Sequence, residues 1–595
     1  MQKIIFLFTA LLLQGYYILE AQQKYFERTY LVQDISDARN FFLNQDGSYT
    51  VIGNSMSVPN LIGAPFYMRL NEFGDTLSLK KYMYTNRNTT IWDAVETQNG
   101  YALAICQPQT DTSVGCNAHL MRLSYTGELL NLSLAGSDTI YQSWGRSILH
   151  TLDNGYIMAG LIIPDTSSHN KLYIVKLNVD GSMDWEKIYD YFAYHNMFMD
   201  ILPATDGGYY VLGTIGRWQI ALPFGGWEYL GDILIYKIDD LGNVEWEEIY
   251  FVDEEFEAPI SFCQFEDGQI FLAGARNLYN ELIMKLDTSF NIVWSSFAGE
   301  DVGQPSYITP TLDGNILISG VSFVGGTNGY VSKVSPNGNI LWKRIYGDAG
   351  HDYFYTHLIL PDGSILIGGR NDMSSSAEVY VVKTNCMGLV TPLPQASFSW
   401  QANEPNPLAV QFNNFSQYVY ADSIDGGKYI WEWGDGSPST TFTSESFSEV
   451  FHYYPSPGTY TVTLTAIVCQ DTSSIQATIE TLSGAGGTVG LPPDIPPTDP
   501  LKGEKTMLVY PNPATNTLTF QQVSKSPSGD LGVNGAGDLE IKLHTLTGQT
   551  ALQTTLAAGE TVKTISVAHL PVGMYLYVAE QAGSVLARGK VAVVR

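Results

Sequence analysis

The sequence predicts an all-β protein, a seven-bladed β-propeller followed by two small β-sandwiches, and three observations predict it. Of 595 residues, 45% are hydrophobic and 12% aromatic but only 15% are charged, with 56 glycines. That is the make-up of many short strands joined by tight turns, not of helical bundles. A polar turn leading into an apolar run recurs as "QDGSYTVIG", "QNGYALAI", "DNGYIMAG", "DGGYYVLG", "EDGQIFLAG", "LDGNILISG" and "PDGSILIGG", with its Tyr or Ile at 49, 101, 156, 209, 270, 316 and 365. A period of about 50 residues with internal alternation marks a propeller array. Each copy is followed by a second unit, clearest as "YIVKLNVDGSMDWEKIY" from Tyr173.

The first element is a secretory signal, residues 1–21. Lys3 gives a positive start, Ile4 to Leu13 form an apolar core, and Ala21 supplies the small residue after which cleavage is expected. Gln14 and Gly15 end the run far short of the ~20 residues a span needs. No Cys follows the apolar core and no other stretch is long enough, so the mature chain is expected to lack a transmembrane segment and a lipid anchor.

The propeller is expected over residues 22–394. Each period breaks into a strand entering an Asp-Gly or Asn-Gly hairpin, a second strand such as "YYVLG", a third such as "ILIYKID", and a fourth such as "VEWEEIY" after a D-x-x-G turn. The seventh copy runs into "LVTPLP" and has no fourth strand, while "KYFERTYLV" (24–32) precedes the first hairpin without a partner. An unpaired edge is a liability, so the N-terminal strand is expected to complete the last blade. Trp185, Trp246, Trp294 and Trp342 repeat once per blade and are expected to pack between blades, at ~3–5 kcal/mol each on truncation to Ala. The "K-L-D-x-x-G-x-x-x-W" pattern resembles secreted bacterial propeller repeats and, distantly, quinoprotein dehydrogenase blades. The adjacent Cys-Cys pair of those dehydrogenases is absent.

Five cysteines leave at least one unpaired. Cys106 and Cys116 are near neighbours in sequence. Oxidation would close a short loop worth roughly 2–3 kcal/mol, and small buried residues are the equal alternative.

Residues 395–482 change period. "YIWEWGDGSPSTTF" (Tyr429–Phe442) and "VFHYYPSPGTYTVTLTA" (Val450–Ala466) closely resemble a PKD domain, a sandwich of the immunoglobulin type that usually serves as a spacer or weak binding module. Asp435 in its "GDG" turn reads as a turn cap before a cation ligand. Residues 483–506 are a Gly-rich, then Pro-rich linker. Residues 507–595 open with "LVYPNPATNTLTF", continue through "LTGQ" and "LPVGMY", and end "KVAVVR"; they strongly resemble the C-terminal sorting domain of the type IX secretion system, apart from a polar insert at 524–538. The resemblance implies export across an outer membrane by that machinery, removal of the domain by its sortase, and release or attachment at the surface.

The net charge of −29 repels phosphate backbones and argues against nucleic acid or anionic membrane partners. In the strand order above, tight turns fall on one face of the disc and variable loops on the other, which makes the loop face the recognition face. Its largest insertion, Gly216 to Asp232 in blade four, carries Trp218, Phe224, Trp227 and Tyr229 as candidate ligand-binding residues. Folding back onto the propeller is their bland alternative. "DEEFE" (253–257) and "GDAGHDY" (347–353) put carboxylates and His351 on that face. No cofactor is expected; calcium is the ion such a rim would take, and a solvated acidic rim is the simpler reading. No nucleophile elbow, H-E-x-x-H, P-loop or paired-carboxylate signature occurs. The reading is a secreted or surface-displayed recognition or adhesion protein for a glycan or protein ligand; the alternative is a propeller enzyme such as a polysaccharide lyase or glycoside hydrolase.

Overall fold

The computed structural model describes residues 23–593 apart from connecting segments, those of five residues or more being 109–115, 164–169, 222–226, 251–256, 444–448, 482–486, 490–505, 511–516 and 524–538. The expected signal segment lies outside the described residues. Every described regular element is a strand, and no helix among the described residues is long and apolar enough to cross a membrane.

Seven antiparallel blades follow one another. Their innermost strands are Ile35–Leu43, Thr90–Thr97, Gln142–His150, His195–Pro203, Glu257–Gln264, the second half of Ile292–Pro310, and His351–Ile359. Each touches the next, and the last touches the first, so the ring is closed. Where a loop between blades five and six is expected, the chain stays extended: Ile292–Pro310 pairs with Asn280–Leu286 at one end and with Ile316–Ser322 at the other.

Closure uses the N-terminal strand. Phe26–Tyr30 pairs antiparallel with Ala377–Thr384, Phe26 opposite Lys383 and Tyr30 opposite Val379. The reason lies in a contact repeated round the disc. In the outer strands of blades three, six and seven, an aromatic near the start lies over the turn of the next blade, and the Tyr that ends the strand donates its hydroxyl to that turn. Trp185 covers Gly242 and Tyr189 Oη donates to the Gly242 carbonyl at 2.7 Å. Trp342 covers Gly388 and Tyr346 Oη donates to its carbonyl at 2.6 Å. "FERTY" reproduces this with Phe26 over Gly74 and Tyr30 Oη donating to the Gly74 carbonyl at 2.6 Å. The turn glycines adopt positive φ, +75° at Gly242, with no room for a Cβ beneath the ring. Blade five departs: Phe290 takes the position at φ 63° and packs its ring edge-on to Trp246, centroids 4.4 Å apart.

Within a blade, the Lys of the third strand reaches the Asp of the hairpin. Lys176 meets Asp153, Lys237 meets Asp206 and Lys333 meets Asp313, at 2.6, 2.6 and 2.5 Å. The two motifs that recur in the sequence are therefore physically paired. The remaining core lies between blades, in clusters of Ile, Val, Leu and Tyr from second and third strands.

Past Thr384, two four-stranded sheets enclose a core around Trp431, Trp433, Phe398 and Phe412. Gly487–Val489, read from sequence as the start of a flexible linker, instead pairs with Phe398–Trp400 and extends one sheet. Thr488 and Val489 are β-branched, and the sheet edge supplies their partners. A smaller sandwich over 506–593 buries Leu518, Phe520, Ile541, Leu543, Tyr575 and Val591.

Candidate site at the propeller axis

The residues nearest the axis follow from one irregularity. Every inner strand carries a β-bulge at the same place, between Ala38 and Asn40, Ile91 and Asp93, Gly145 and Ser147, Phe198 and Asp200, Pro259 and Ser261, Pro305 and Tyr307, and Phe354 and Thr356. A bulge bends a strand and re-aims its side chains. Here it produces two stacked rings: the bulged residues Arg39, Trp92, Arg146, Met199, Ile260, Ser306 and Tyr355, and one residue deeper Asn40, Asp93, Ser147, Asp200, Ser261, Tyr307 and Thr356.

The deeper ring is a hydrogen-bonded belt. Asn40 Nδ2 donates to Asp93 Oδ1 at 2.8 Å, and Ser261 Oγ donates to Asp200 Oδ2 at 3.0 Å. Ser147 Oγ lies 3.2 Å from Asp93 Oδ2 and 3.3 Å from Asp200 Oδ1. Each carboxyl also takes a backbone N–H of the next blade, Asp93 from Ile148 at 2.9 Å and Asp200 from Phe262 at 3.5 Å. Burial outweighs these donors and raises both acids, Asp200 to about 7 with the neighbouring Asp93 adding to the rise. Close by, burial pulls His357 down to about 3; its ring nitrogens meet Thr309 Oγ1 at 2.7 Å and Ser319 Oγ at 2.8 Å.

The upper ring faces the loop side. Arg146 lies over the Trp92 ring, 5.1 Å from its centroid, and donates to the Phe198 carbonyl at 3.2 Å. Trp92 is 36% exposed. At the seam of blades seven and one, Arg39 lies 4.3 Å from the Tyr355 centroid, Tyr355 stacks at 6.3 Å on Tyr353, and Arg370 lies 5.2 Å from Tyr353. Asp37 holds Arg39 at 2.8 Å and Asp372 holds Arg370 at 2.5 Å. These planar groups brace each other at the seam of blades seven and one.

The candidates read from sequence fall as follows. The blade-four insertion is a two-stranded ribbon continuing the second and third strands of its blade, with Trp218 opposite Leu230, Gln219 opposite Tyr229 and Ala221 opposite Trp227. Backbone pairing, not an open loop, sets Trp218, Trp227 and Tyr229; Phe224 lies outside the described residues. Of "DEEFE", residues 253–256 also lie outside them. In "GDAGHDY", His351 is exposed, but Asp352 is buried and bonded to Asn371 at 2.6 Å. Among the described residues no three His, Cys, Asp or Glu side chains form a metal-holding group. Asp435 accepts the Ser437 N–H at 3.0 Å and meets His452 Nε2 at 2.8 Å; burial opposes its charge, these donors prevail, and its carboxyl is held at about 2. Cys106 and Cys116 are bonded, with Cα atoms 5.6 Å apart, and so are Cys386 and Cys469, at 6.0 Å. Cys263 is free and buried. The axial rings were not singled out from the sequence, although each belt residue stands at a near-constant offset before its hairpin, as Ser147 does before Tyr156 and Asp200 before Tyr209.

Comparison with known proteins assigns two of the modules. Residues 397–482 match the PKD domain and residues 508–593 the secretion system C-terminal sorting domain. The chain is thus exported by the type IX system and is released or held at the cell surface. No curated protein sequence matches it. Among solved structures it is similar to a protein of unknown function from Dyadobacter fermentans, at 10% identity and TM-score 0.36 over 51% of this chain and 96% of that one. It is also similar to the extracellular domain of a putative one-component system from B. thetaiotaomicron, at 10% identity and TM-score 0.20 over 77% and 80%. A third is the Penicillium chrysogenum alpha-L-arabinanase complexed with arabinobiose, at 12% identity and TM-score 0.35 over 51% and 95%.

Proposed function

We propose that this is an extracellular recognition protein that binds a glycan or protein ligand on the loop face of its propeller. The observation that carries the reading is the coincidence on that face of variable connections, the blade-four ribbon and a braced arginine–tyrosine rim around the axis. Rigid aromatic and guanidinium groups lose little entropy on binding and offer both apolar surface and directed hydrogen bonds. The enzyme alternative needs acids free to meet a substrate. Asp93 and Asp200 are already engaged by the neighbouring blades, and that favours binding over catalysis.

The test is a glycan array and a surface-protein panel probed with the mature protein, followed by variants. Trp92→Ala, or Trp218→Ala with Trp227→Ala, is expected to weaken the selected interaction at least tenfold with little change in melting temperature. Retained affinity in both variants would remove the loop face as the binding surface. Release of cleaved product from a glycan would favour the enzyme reading.

A further inference from the structure

We propose that the Cys386–Cys469 disulfide is a redox lock on ring closure, by which the PKD sandwich holds the N-terminal strand in the last blade. The two cysteines stand 83 residues apart. Cys386 belongs to the turn that ends blade seven, whose preceding strand, Ala377–Thr384, is the one Phe26–Tyr30 completes. Cys469 sits at the tip of the hairpin between Thr459–Val468 and Asp471–Glu480, at φ 54°.

That tip grips three separate parts of blade seven. The disulfide and the Cys386 N–H, 3.2 Å from Cys469 Sγ, fix its outer turn. Gln470 Nε2 donates to the Pro361 carbonyl of its hairpin at 3.1 Å. Asp471 takes Lys24 Nζ at 2.6 Å and the Tyr25 hydroxyl, the residues immediately before the closing strand, from 447 and 446 positions away. Lys24 also reaches Asp362 in the hairpin turn at 3.0 Å. A five-residue edge strand is a place where sheets fray. Here its lead-in is pinned to a domain that the disulfide holds in place, so the hairpin tip stays in register with Lys24 and Tyr25 while the bond exists, and is held there only by the chain connection and non-covalent contacts once it is cut.

Solvent reaches the bond. Both cysteines line a cavity of about 250 Å³ shared with Leu312, Trp342, Ile359 and Asp362. Its formation joins the two sulfurs as their thiols give up two protons and two electrons to the disulfide of an exchange partner, which leaves as a dithiol. Such partners act in oxidising compartments, so the lock closes outside the cytoplasm, along the export route assigned above.

Amide hydrogen exchange on the full chain tests this, in a Cys106→Ser, Cys116→Ser background so that one disulfide is cleaved. Treatment with a phosphine reductant is expected to speed exchange at Phe26–Tyr30 at least tenfold while the inner strands of blades three and four stay protected. Cys469→Ser is expected to do the same without reductant. Asp471→Ala, with the bond intact, is expected to speed exchange at Phe26–Tyr30 to a similar extent, because the disulfide acts on the strand through this residue; unchanged exchange in Asp471→Ala beside a full effect of reduction would overturn the proposal. Unchanged exchange at Phe26–Tyr30 after complete reduction would overturn it directly, and that measurement needs no variant of Cys469.

Discussion

Asp200 occupies a position that disfavours its charge. It lies at the axis, its carboxyl touches Ser147, Ser261 and a backbone N–H, and Asp93 is a second acid on the same serine. Ser147 has one hydroxyl proton for two carboxyl oxygens, so the belt is complete when one acid keeps its proton, in keeping with a value near 7 for Asp200. The sign follows from linkage. In the folded state the group holds a proton that the unfolded chain, titrating near 3.8, gives up earlier. Unfolding free energy therefore falls as pH rises from about 4 to about 7, by on the order of a few kcal/mol in total, and is flat beyond. Urea midpoints for the wild type are expected to be higher at pH 5 than at pH 8. Subtracting the Asp200→Asn profile isolates the contribution of this carboxyl; equal slopes in the two proteins would assign the pH dependence elsewhere.

At the scale of the element, the outer strands of blades three, six and seven are fasteners whose aromatic and Tyr engage the next turn. Trp342 is the most buried of the repeated tryptophans, at 6% exposure, while Trp185, Trp246 and Trp294 are half-buried. Trp342→Ala is expected to cost ~3–5 kcal/mol in denaturant unfolding, and Trp185→Ala less, because water already covers part of its ring. Deleting residues 24–32 removes Phe26 and Tyr30 together and uncovers Ala377–Thr384. A loss of several kcal/mol and concentration-dependent self-association are expected, read by unfolding and by sedimentation. A monomer of wild-type stability would mean that closure matters little. This closing strand was legible in the sequence, since alternation and an unpaired position sufficed. The matching roles of Phe26 and Tyr30 were not, because Phe for Trp breaks the letter pattern while keeping the contact over Gly74.

For the whole molecule, the sorting domain sets what reaches the outside. Mass spectrometry of the surface or culture fraction is expected to lack peptides from Leu518 onward, and deletion of "KVAVVR" is expected to retain the protein in the envelope. Abundant full-length chain outside the cell would contradict removal of the domain. The PKD sandwich, read from sequence as a spacer, meets the propeller through a disulfide, an ion pair and side-chain hydrogen bonds at one hairpin tip. These fix its attachment to blade seven.

The sequence by itself determined the blade count, the strand order, the identity of the two downstream modules and the export route, because each is written in local periodicity or in contiguous motifs whose chemistry acts within a few residues. Only the tertiary structure decided which residues share the axis and which distant cysteines meet. The belt of Asn40, Asp93, Ser147, Asp200 and Ser261 draws single residues from five successive blades, and Cys386 pairs with Cys469 across a domain boundary while near neighbours Cys106 and Cys116 pair with each other. Such contacts depend on how the closed ring brings blades and hairpin tips together, and that geometry is a property of the whole chain that no window of sequence contains.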